Sequence, residues 1–60
     1  MSNKQFSILD QHGDTLYLLD ERGREWVAKP EGNGYQVYDP HSGRDLGVFS
    51  SKTLAARIQA

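Results

Sequence analysis

No cysteine occurs in this chain. Disulfide staples and thiolate metal sites are therefore excluded, and a reducing, cytoplasmic setting is expected. Long hydrophobic runs are missing as well. No apolar stretch reaches the length of a signal-peptide core, or the roughly 20 residues of a membrane-spanning helix. Nor does one sign of charge dominate. Seven Lys and Arg stand against eight Asp and Glu, a formal charge of −1, whereas a general nucleic-acid binder concentrates positive charge against phosphate. Sixty residues make a single domain, 1–60, which buries only about 60% of the surface its unfolded chain exposes. Self-association is then one expected source of further stability.

What the chain does have is a regular punctuation of turn residues. Asp10-Gln11-His12-Gly13 and Asp20-Glu21-Arg22-Gly23 share the pattern Asp-x-x-Gly. Lys29-Pro30-Glu31-Gly32 echoes it, and Asp39-Pro40-His41-Ser42-Gly43 closes the series one residue longer. Asp accepts backbone N–H groups within a turn, Pro presets φ, and Gly takes the left-handed conformation. Turns spaced in this way between short apolar segments predict consecutive hairpins. Five strands are expected, over about 5–9, 15–20, 25–29, 34–39 and 45–49. Ser50-Ser51 then offers an N-cap, and Leu54 with Ile58 gives an apolar i,i+4 pair, so a short helix is expected over about 51–59. The fold class is α+β and mostly β: a five-stranded antiparallel β-meander with one C-terminal helix. An open sheet and a small SH3-like barrel are both compatible with it.

If Asp10 and Asp14 flank a bulged first turn, Ile8 faces Leu16 and Phe6 faces Leu18 across the first hairpin. Leu18 then faces Trp26, and Leu16 faces Ala28. Four-residue loops place Ala28 by Tyr35, Trp26 by Val37, Val37 by Leu46 and Tyr35 by Val48. All of these side chains fall on one face, the expected core. The opposite face keeps Leu9, Tyr17, Leu19, Val27, Tyr38 and Phe49 among polar residues. An apolar patch rimmed by polar groups marks an interaction surface. Tyr17, Leu19, Val27 and Tyr38 are the expected contacts for a protein partner or for a second copy of the chain in a homodimer.

Little else suggests chemistry. Asp10-x-His12 and Asp39-x-His41 resemble paired metal ligands, but they fall in the first and fourth turns, and zinc needs three or four convergent ligands. Ser42 beside His41 lacks an orienting third group, and Gly32-Asn33-Gly34 precedes no helix that could cradle a phosphate. No catalytic residue, cofactor, metal or small-molecule substrate is expected, and the chain reads as a small regulatory or inhibitory accessory protein. The alternative is a nucleic-acid-binding accessory domain using Tyr35, Tyr38 and Arg44, with bases stacked on the aromatics. The pattern Tyr35-x-Val37-x-Asp39-Pro40-x-Ser42-Gly43-Arg44 with Phe49-x-Ser51 loosely resembles the strand–turn–strand–helix ending of arm-type integrase DNA-binding domains. That resemblance implies DNA reading through a sheet. It spans under half the chain, in a segment holding Arg44, Lys52 and Arg57 against Asp39 and Asp45, and the chain is not assigned to that family.

Overall fold

The computed structural model describes residues 5–58. Five strands, β1 (Phe6–His12), β2 (Thr15–Asp20), β3 (Glu25–Glu31), β4 (Gly34–Tyr38) and β5 (Asp45–Ser50), are followed by helix α1 (Ser51–Arg57). The strands pair in chain order as one antiparallel sheet, β1-β2-β3-β4-β5. This is the expected meander, and the sheet is not closed into a barrel. Strands β1 and β5 remain its two edges. Ile58 spans part of the seam, forming a parallel bridge with Phe6, while the Gln5 N–H donates to the Arg57 carbonyl at 2.8 Å.

The turns are of two kinds rather than one. His12 pairs with Thr15 and Glu31 pairs with Gly34, so the first and third loops hold only Gly13-Asp14 and Gly32-Asn33. In each, Gly comes first with φ near +60° and no non-glycine residue takes positive φ, the form of two-residue turn with Gly at its first central position. The second and fourth loops keep the Asp-led design. The Gly23 N–H donates to the Asp20 carbonyl at 3.1 Å, and that of Gly43 to the Asp39 carbonyl at 2.8 Å.

The two shorter loops correct the expected register at the first and third hairpins, and a bulge corrects it at the fourth. Ile8 pairs with Leu18 and Phe6 with Asp20, and a bulge at Leu9 follows. Ala28 pairs with Val37, and Tyr35 with Pro30. Both are slips of two residues, which preserve the faces of the paired side chains, except that the Leu9 bulge turns Asp10 onto the face of Tyr17. The β4–β5 correction has a larger effect. Val37 pairs with Gly47, Tyr35 with Phe49 and Tyr38 with Asp45, because Leu46 is bulged out. This slip of one exchanges faces, so Phe49 packs on the core while Val48 is left 63% exposed. Only the second hairpin, Leu18 with Trp26 and Leu16 with Ala28, has the expected pairs.

The core consists of Phe6, Leu18, Trp26, Ala28, Val37 and Leu54, with Leu16, Tyr35, Phe49 and Ile58 packed against it. Helix α1 forms as the Ser50 hydroxyl accepts the Thr53 N–H at 3.1 Å and Leu54 drops into the sheet. It ends sooner than expected. Ile58 is extended, with φ −97° and ψ 132°, and reaches the core from beyond the helix. The remainder of the expected helix, Gln59, lies outside the described residues. Arg57 secures this end: its guanidinium lies 5.4 Å from the Phe49 ring centroid and donates to Gln5 Oε1 at 2.7 Å.

Candidate interaction surface

Because α1 covers one face of the sheet, the other is left to solvent. Across it runs a single row of directly paired residues. Asp10 pairs with Tyr17, Tyr17 with Val27, Val27 with Tyr38 and Tyr38 with Asp45. Cross-strand neighbours share a face, so the row reads Asp–Tyr–Val–Tyr–Asp from edge to edge. Val27, at its centre, is only 6% exposed, between two half-buried tyrosines. The His12 ring meets Tyr17 edge-on, with centroids 5.3 Å apart. Leu19 extends the patch one step along β2, paired with Ser7 and Glu25.

Of the expected partner residues, Tyr17, Val27 and Tyr38 thus lie in one row with Leu19 beside it. Val27, flanked by the two tyrosines, presents little of itself. Sequence reasoning put Asp45 on this face but missed Val48, placed there by the Leu46 bulge, and Asp10, placed there by the bulge at Leu9. The Asp45-x-Gly47 spacing was the available signal for the Leu46 bulge. The Gly47 N–H donates to Asp45 Oδ1 and its φ is +95°, a conformation that Gly adopts freely.

The alternative trio is not assembled. Tyr35 pairs with Pro30 and packs toward the core, whereas Tyr38 lies on the outer face and Arg44 in the fourth loop. Two strand residues three apart point to opposite sides.

At one end of the sheet, the second and fourth loops enclose an open groove of about 810 Å³, whose lining includes Arg22, Arg24, Arg44, Glu21 and Glu25. Its two aspartates face inward. Asp20 Oδ1 accepts the Arg22 and Arg24 N–H groups, both at 2.9 Å, and Oδ2 accepts the Trp26 indole N–H at 2.9 Å. Asp39, 4% exposed, accepts the N–H of His41 at 2.8 Å and the Ser42 hydroxyl at 2.9 Å, with Arg24 Nη1 3.8 Å away. These donors hold both carboxyls below the usual carboxylate range, chiefly the Trp26 indole for Asp20 and the His41 backbone N–H for Asp39. Asp10 is lowered in the same way, first by the Gln11 N–H and then by His12.

Ser42 is therefore bound to Asp39 and not to the His41 ring, which instead approaches Glu25 at 3.7 Å. His12 bonds Asp10 at 2.9 Å in the first hairpin, at the opposite end of the sheet from His41. Among the described residues, no group of three or more His, Asp or Glu side chains converges on a metal position. No helix among them is long and apolar enough to cross a membrane. A scan of protein-family models and searches of curated proteins and solved structures find no match to this chain.

Proposed function

We propose that this chain is a non-catalytic binding module, acting in the cytoplasm as a regulatory or inhibitory accessory protein that offers the outer face of its sheet to a protein partner. The observation that carries this reading is the Tyr17–Val27–Tyr38 row, on the face that the helix leaves bare. Tyrosine gives a large, rigid contact with few torsions to freeze, and a well-packed residue beside it preorganises that contact. In the groove, by contrast, the Asp20 and Asp39 carboxylates and the Ser42 hydroxyl are taken up by their own turns.

A photo-cross-linking side chain placed at Tyr17 or Tyr38 tests the reading in extract from the source cells. Adducts to one protein species should form from these two positions and be absent from a control position at Arg22. Adducts from Arg22 alone would move the binding surface to the groove and end this reading.

A further inference from the structure

Resting on the outer face as the docking surface, we infer that its occupant is a cationic amphipathic segment of another protein, apolar at its centre with Lys or Arg at both ends. The charges of the chain are nearly balanced overall, but the fold segregates them. By strand register, the outer face carries Asp10, Glu25, Glu31 and Asp45 against Lys29 as its one Lys or Arg. All five are exposed. The other described cations lie elsewhere: Arg22, Arg24 and Arg44 in the loops at one end, Lys52 and Arg57 on the helix. His12 and His41 face Asp10 and Glu25, so both carboxylates at these margins already have a neighbour that becomes cationic when protonated.

The row sets the complementary shape. Four strand spacings separate Asp10 from Asp45, roughly 19 Å. A row of that length, apolar over its middle and with a carboxylate at each end, is matched by about three and a half turns of helix with basic ends. The tyrosine faces also attract ammonium and guanidinium groups. Phosphate is repelled by the same carboxylates.

A second copy fits poorly. A two-fold axis in the interface through Val27 that stacks the two apolar rows runs either along the row or across it, and so lays Asp10 over Asp10 or over Asp45 of the copy, where like charges meet at both ends. Strand addition at the edges is also hindered. Both edge strands are bulged, at Leu9 and Leu46, and Asp10 and Asp45 each hold a backbone N–H of their own strand, that of Gln11 at 2.8 Å and that of Gly47 at 2.6 Å. Bulges and occupied donors are how exposed edges avoid pairing.

The test is an amide-resolved NMR titration of the full chain with two 14-residue helical probes, one built of Leu and Lys and the other of Leu and Glu in the same positions. The Leu/Lys probe should shift the amides of Tyr17, Val27 and Tyr38. Its affinity should fall roughly tenfold in Asp10→Asn/Asp45→Asn, and fall again as salt is raised. Glu25→Gln/Glu31→Gln, which touches no hydrogen bond to the backbone, should weaken it in the same direction and covers the case in which the first variant folds poorly. Equal binding of both probes at the Tyr17–Tyr38 row would overturn the cationic partner and leave the outer face as the docking surface. Shifts confined to the groove, unchanged by Tyr17→Ser/Tyr38→Ser, would overturn both. A sedimentation mass of twice the 6.8 kDa chain that reverts to one copy in Tyr17→Ser would make the occupant a second copy and end the inference.

Discussion

Three aspartates hold nearby donors and titrate as they do so, Asp20 and Asp39 in turns and Asp10 on strand β1. Asp10, Asp20 and Asp39 all have carboxyl pKa values below the usual range, because N–H donors solvate the ionised form. Each is more acidic folded than unfolded. The stabilisation is therefore complete above the unfolded value of about 3.9 and is lost as pH falls through the lower folded values. Asp20 reports on itself, since its Oδ2 accepts from the Trp26 indole. Tryptophan fluorescence and the thermal midpoint should change together between neutral and strongly acidic pH, and Asp20→Asn/Asp39→Asn should flatten that profile. Parallel profiles for the variant and the parent would remove these carboxylates from the acid transition. Gly34 makes a different demand. It is buried, and a Cβ there would run into the Phe49 carbonyl oxygen, which belongs to backbone and cannot swing aside. Gly34→Ala should cost about 2 kcal/mol or more, read as a fall in the denaturant midpoint at unchanged slope.

Hairpins are the elements in which this architecture was most legible and also most easily misplaced. Strand number, order and the Ser50 cap follow from turn spacing and from the change of period after Phe49. The Tyr17–Val27 pair follows from the second loop, whose Asp20 and Gly23 form the turn that their spacing predicts. Elsewhere Asp-x-x-Gly conceals two outcomes. In Asp10-Gln11-His12-Gly13 the aspartate bonds Gln11 and His12 while β1 runs on to His12, and Gly13 opens a two-residue turn. Nothing local separates that choice from the one at Asp20; which loop forms depends on the apolar pairs it aligns, a tertiary effect. The Leu46 bulge is the clearest case, because it exchanges Phe49 and Val48 without altering composition or strand length. Two truncations check it. Phe49→Ala should cost about 2–3 kcal/mol, as a ring packed against the core is lost, whereas Val48→Ala should stay within about 0.5 kcal/mol. The reverse order in chemical denaturation would restore the register expected from the sequence alone.

As a whole molecule, the meander has a seam that its helix must help to hold. The edges β1 and β5 do not pair with each other, and the Gln5–Arg57 and Phe6–Ile58 contacts join residues more than fifty positions apart. Phe6 is fully buried in a cluster to which Leu54 and Ile58 contribute from the C-terminal segment. A chain this short is expected to have a total stability of roughly 3–9 kcal/mol, and deleting a buried leucine side chain costs about 2–5 kcal/mol. Leu54, 1% exposed, therefore accounts for much of the margin. Leu54→Ala should bring the molecule near its unfolding midpoint at physiological temperature, even though the residue lies outside the sheet. The loss should be global: amides of β2 and β3, which lie inside the sheet and away from its edges, should lose hydrogen-exchange protection together with those of β5. If β2 and β3 keep their protection while only β5 and α1 open, the first three strands are stable on their own and the helix is a local cover. Substitution at Tyr17 provides the contrast. It lies on the bare face, so Tyr17→Ser should leave this global protection nearly intact while removing contact area from the proposed docking surface.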